Sequence, residues 1–141
     1  MTEAQYQARL LEQVHAQSRW ETQLASIVIG DLDADEIVLT IDTAISKGRL
    51  SDPETRELLP LLRGLNLLDQ DDRLLNSGAV LFGNAAAFPR GYSQSRLRMA
   101  RFRGGNKAEF IDNRQVVGNI FTLYQRAQDF LLEHIQIAGK L

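Results

Sequence analysis

Apolar residues recur at helical spacing through the first half of this chain and again at its end, while the residues between them read as strands. Thr2 can cap a first helix that places Tyr6, Leu10, Leu11 and Val14 on one face. Asp33 caps a second, with Ile37, Val38, Ile41, Ala44 and Ile45 inward and Gly48 at its left-handed end. Asp52-Pro53-Glu54 reads as the start of a third helix, carrying Leu58, Leu59, Leu61, Leu62 and Leu65, in which Pro60 costs a hydrogen bond or a bend. Asn76 is expected to cap a short apolar helix over Ser77 to Phe82, closed by Gly83. The segment between the first two helices, Glu21 to Gly30, is a connector or a short strand through Ser26-Ile27-Val28-Ile29. Residues Asn66 to Leu75 form a turn region with an acidic tip at Asp69, Asp71 and Asp72.

The period then changes. Ser95 to Gly104 sets Leu97, Met99 and Phe102 among four arginines, a strand-like segment. Phe110-Ile111 and Val116-Val117 flank a polar Asp112-Asn113-Arg114 group and suggest a second strand or a hairpin. Asn119 to Ile135 is the clearest helix, with Ile120, Leu123, Tyr124, Ala127, Phe130, Leu131 and Ile135 on one stripe. The expected class is α+β: a helical N-terminal half, a small antiparallel sheet or hairpin, and a long C-terminal amphipathic helix. In this reading residues 1–22 are an N-terminal helix linking to an upstream domain, and residues 23–141 are one α+β domain.

The residue types exclude several chemistries. The chain has no cysteine, so disulfides, thiolate metal sites and a cysteine nucleophile are ruled out. Its 16 basic and 18 acidic residues give a net charge of −2, which supplies no global attraction to nucleic acid or anionic lipid. No apolar run approaches the roughly 20 residues that span a bilayer, and residues 1–10 lack a signal-peptide pattern, so a cytoplasmic location is expected. Asp31, Asp33, Asp35 and Glu36 lack the glycine and closing glutamate of a calcium loop and are read as a helix cap with first-turn acids. His15 and His134 stand far apart without partners at ligand spacing, and His134 is read as a packed or capping residue. Gly104-Gly105-Asn106-Lys107 lacks the spacing of a phosphate loop and is read as a glycine turn. Nothing assembles a nucleophile, a base and an oxyanion donor, so no catalytic residue, metal or cofactor is expected in this segment.

The most conspicuous chemistry is the run Arg96, Arg98, Arg101 and Arg103. Alternation along a strand puts Arg96 and Arg98 on one face and Arg101 and Arg103 on the other. A bulge near Met99-Ala100 would restore a common arginine face, and with Arg90 and Lys107 would make a phosphate-binding patch. The simpler reading, favoured by the near-neutral charge, is a solvated strand face paired to nearby carboxylates.

Several stretches taken in order carry a family resemblance: Arg19-Trp20-Glu21, Leu65-Asn66-Leu67-Leu68, the run from Leu74 through Gly83, Phe88-Pro89, Ala100-Arg101-Phe102-Arg103-Gly104, and Phe110-Ile111-Asp112-Asn113 leading to Gly118-Asn119-Ile120. In this order they resemble the middle region of a bacterial family of transcriptional regulators, the ATP-dependent DNA helicase RecG-related proteins. The resemblance implies a Schlafen/Alba-type DNA-binding domain before the region and a histidine-kinase-like ATPase domain after it. The motifs of that ATPase domain do not occur before Leu141, and no functional residue of the family is carried onto this chain. The expected role is a non-catalytic connector whose partners are the flanking domains of the parent protein. The alternative is a winged-helix-like module that binds DNA weakly through Arg96–Arg103 and Lys107. A third is self-association through the first or last helix.

Overall fold

The computed structural model describes residues 2–103 and 109–135 of the chain, apart from the side chains of residues 13–18. The described residues form five helices and a two-stranded antiparallel hairpin, in the order α1 (Glu3–Ser18), α2 (Ala34–Ser46), α3 (Leu58–Gly64), α4 (Asn76–Phe82), β1 (Arg96–Phe102), β2 (Phe110–Val117) and α5 (Ile120–His134). This is the α+β order expected from the periodicities. Among the described residues no helix is long and apolar enough to cross a membrane.

The helix ends follow from local chemistry. Thr2 and Gln5 cap α1 reciprocally, each side chain accepting from the other's backbone N–H. Asp33 caps α2 by accepting from Glu36 N at 3.0 Å. At the far end Gly48 has φ +64°, and the N–H groups of Gly48 and Arg49 donate to Ile45 and Ala44, the paired bonds that close a helix through a left-handed residue. Asn66, φ +57°, closes α3 in the same way, with Asn66 N donating to Arg63 and Leu67 N to Leu62.

Three expectations are corrected. Asp52-Pro53-Glu54 does not start α3. The Asp52 carboxylate accepts from Glu54 N at 2.9 Å and Glu54 takes φ +58°, so the sequence makes a tight turn and the helix waits until Leu58. Pro60 therefore falls in the first turn, where its missing N–H has no helical partner to lose, and it neither bends nor weakens α3. Of the two readings of the Ser26–Ile29 segment the connector is the one found: it buries Ile27 in the core and runs into a short 3₁₀ turn, Ile29–Asp31.

The third correction concerns Asn76. It is the first residue of α4 rather than its cap, and it is buried. Its Nδ2 donates to the Trp20 carbonyl at 2.9 Å, and its backbone N donates to Gln23. A second clamp joins Asp33 N to the Phe82 carbonyl (2.7 Å) and Asn84 N to the Asp31 carbonyl (2.9 Å). Gly83, between the two, keeps an ordinary negative φ. It is glycine for space: a Cβ there would lie 2.6 Å from the Ala79 carbonyl oxygen and would also strike the Phe88 ring.

The core is built from Ile27, Leu32, Ile37, Ile41, Leu61, Leu62, Leu67, Leu74, Ala79, Phe82 and Phe88, with Phe121 of α5 stacked on Phe82 at 5.7 Å between ring centroids. No residue of α4 is exposed. No described residue of α1 belongs to this core, and Tyr6, Leu10 and Leu11 are exposed. The expected stripe of α5 is only half covered. Leu123, Ala127 and Phe130 turn inward, while Ile120, Tyr124, Leu131 and Ile135 form an adjacent exposed stripe, with Leu132 exposed beside it.

Candidate functional site

The polar group Asp112-Asn113-Arg114 lies within β2, which pairs with β1 so that Arg96 faces Val117, Met99 faces Arg114 and Arg101 faces Asp112. The ladder is regular through Met99 and Ala100. The bulge that would have given the arginines a common face is absent there, and the irregularity falls between Arg101 and Phe102, where Phe102 pairs with Phe110 and Ile111 is the extra residue. Alternation then splits the arginines. Arg96 and Arg98 are exposed on the side shared with Ala100 and Phe102, whereas Arg101 lies half-buried on the side shared with Leu97 and Met99. No common arginine face is needed, because Arg101 has a partner on the α5 side of the sheet: its Nη1 is 3.3 Å from Nδ1 of His134.

Beyond the end of β1, Arg103 donates its backbone N–H to the Glu109 carbonyl at 2.9 Å and holds the Glu109 carboxylate at 3.8 Å. Lys107 and the Gly104–Lys107 turn lie outside the described residues. Arg90 is exposed in the turn before the hairpin. Of the residues of the candidate phosphate-binding patch, the described structure brings together only Arg96 and Arg98.

On the α5 side a charge cluster forms that the sequence reading did not anticipate. Arg114 Nη2 lies 2.8 Å from Asp112 Oδ2 and 2.6 Å from Glu133 Oε2, and its guanidinium covers the Phe130 ring at 5.4 Å. His134 Nε2 donates to Asp112 Oδ2 at 2.9 Å, and the imidazole stands edge-on to Phe130. The bonds to Glu133 and then to Asp112 raise the Arg114 pKa, and the Arg114 bond, with a smaller contribution from His134, holds the Asp112 carboxyl below its usual range. His134 is packed, as expected, and is also bonded on both ring nitrogens. The usable signal was that Asp112 and Arg114, two apart on a strand, share a face; their helix partners are distant in sequence. The side chain of His15 lies outside the described ones.

Asp112, Glu133 and His134 each offer an atom within 4.8 Å of the others, a geometry that could hold a metal ion. The Arg114 guanidinium already bridges the two carboxylates there, so a divalent ion would have to displace it. Chemically the cluster suits attachment of the hairpin to α5, with each cation set between carboxylates or against the imidazole. Several of the other acidic groups singled out in the sequence have partners of their own. Asp31 accepts from Val28 N, Asp33 caps α2, Asp69 and Asp71 pair with Arg73, and Asp72 pairs with Arg63.

Comparison of the chain with protein-family models, curated proteins and solved structures finds no match.

Proposed function

We propose that this chain is a non-catalytic connector module, the middle region of a DNA-binding, ATP-dependent transcriptional regulator of the RecG-related kind. One observation carries the reading: the core closes without the apolar residues at either end of the described chain. Tyr6, Leu10 and Leu11 on α1 face solvent, and so do Leu131, Leu132 and Ile135 at the end of α5. Exposed apolar groups near both ends of the described chain, outside a closed core, suit a module lodged between neighbours, here the flanking domains of the parent protein. The cluster around Arg114 supports the same reading, since its charges neutralise one another instead of presenting a free acid, base or nucleophile.

The test is hydrogen exchange on the chain alone and on the longer polypeptide that flanks it, together with an ATPase assay of the chain. The expected result is added protection at 6–11 and 131–135 in the longer polypeptide and no turnover by the chain. Equal exchange in both, or ATP hydrolysis by the pure chain, overturns the reading.

A second reading, nucleic-acid binding through the Arg96–Arg103 strand, has its own observation in its favour. Arg96 and Arg98 are exposed, and no ion pair among the described residues includes either one.

A further inference from the structure

We propose that the hairpin face turned away from α5 is a platform for single-stranded nucleic acid, an inference that rests on the second reading above and names its ligand. By register this face carries Arg96, Arg98, Ala100 and Phe102 from β1, and Phe110, Asn113, Gln115 and Val117 from β2. It contains no carboxylate, in a chain whose acidic residues outnumber its basic ones. An anion approaching this face therefore meets positive charge with no carboxylate set beside it on the sheet.

The second element is aromatic. The Phe102 and Phe110 rings lie 4.7 Å apart at 37°, and Phe110 remains 50% exposed. Open aromatic faces beside arginines are the parts with which proteins hold unpaired bases: the rings stack on bases and the cations follow the phosphates. The amide side chains of Asn113 and Gln115, exposed on the same face, add donors and acceptors, and Arg98 already orients Asn113 by donating from Nε at 3.3 Å.

Two alternatives fit less well. In a winged-helix arrangement α4 would have to enter the major groove of a duplex, yet α4 has no exposed residue and no charged side chain. The base faces of a duplex are also closed within its stack, which leaves Phe110 nothing to stack on. An acidic peptide would satisfy the arginines but would give the open rings no role.

Fluorescence anisotropy of the full chain tests this, with a labelled oligothymidine of roughly 12 nucleotides and its duplex with oligoadenosine. The single strand should bind more tightly than the duplex. Charge reversal of Arg96 and Arg98 should lower the salt slope by about 0.7 for each phosphate that is no longer neutralised. Phe110→Leu, which keeps apolar bulk at an exposed site, should weaken binding about ten-fold, and Phe110→Trp should retain it. Equal binding of single strand and duplex, or a Phe110→Leu variant that binds like the parent chain, overturns this face while leaving the nucleic-acid reading standing. No binding to either form removes both. Displacement of the oligonucleotide by polyglutamate of equal charge, at equal concentration, would replace nucleic acid with an acidic protein as the ligand.

Discussion

Arg101 and His134 meet across the seam between the hairpin and α5, guanidinium Nη1 to ring Nδ1, at 3.3 Å. An arginine N–H can only donate, so the lone pair sits on Nδ1 and the ring proton on Nε2, where it is given to Asp112. One strand of the hairpin is thus joined to the other through the end of the helix, a route separate from the main-chain ladder.

Acid should loosen this seam through Asp112. Its folded pKa lies below the ordinary 3.8, chiefly through the Arg114 bond, so the stability it contributes is present above that value and is lost as pH falls through the lower folded pKa. Urea denaturation of parent and Asp112→Asn chains from pH 5 to pH 2 reads the effect. The parent should lose more stability than the variant below about pH 4, and parallel curves would remove Asp112 as the acid-sensitive group.

Asn76→Ala should destabilise the chain by about 1–3 kcal/mol, since it strands the Trp20 carbonyl that Nδ2 now satisfies at 2.9 Å. The same urea midpoints measure it. A change under about 0.5 kcal/mol would mean that water replaces the amide.

Two glycines should respond for different reasons. At Gly48 an added Cβ meets nothing within 4 Å, so Gly48→Ala costs only the left-handed backbone, about 1 kcal/mol. Gly83→Ala, in an ordinary conformation, drives a methyl against the Ala79 carbonyl and the Phe88 ring and should cost more, about 2–3 kcal/mol. Thermal melts of both variants decide whether backbone or space sets the order.

The α1 face should be nearly silent in the chain by itself. Replacing Tyr6, Leu10 and Leu11 with serine should each change stability by no more than about 0.5 kcal/mol, because all three are exposed. A loss well beyond that would place α1 against the core in solution.

How much of this was legible beforehand depended on the range of each interaction. Thr2, Asp33 and Gly48 mark helix ends through bonds to residues no more than four away, and the sequence reading placed all three as found. Asp52-Pro53-Glu54 used the same residue types in a turn, because an aspartate can bond two residues ahead as readily as three. Asn76 failed as a cap because its partner, Trp20, comes from a distant segment that no local pattern names. The division of the arginines was legible, since alternation alone separates Arg96 and Arg98 from Arg101, but the pairing of Arg101 with His134 was not, because α5 is distant in sequence. The α5 stripe was read as one surface, but only tertiary packing says how wide a stripe is covered.

The paired bonds between Asp31–Asp33 and Phe82–Asn84, with Ala25 N to the Leu74 carbonyl beside them, stitch the segments on either side of the exposed Ser51–Glu54 turn directly to one another. The peptide link through that turn is then dispensable to the assembled core. A chain cut there by a protease should run as one species on native gel filtration and as two on a denaturing gel; separation under native conditions would show that the turn itself holds the halves in place. If they stay together, the protein is a two-piece molecule that happens to be made as one, and the turn is where a foreign sequence can be inserted without dismantling it.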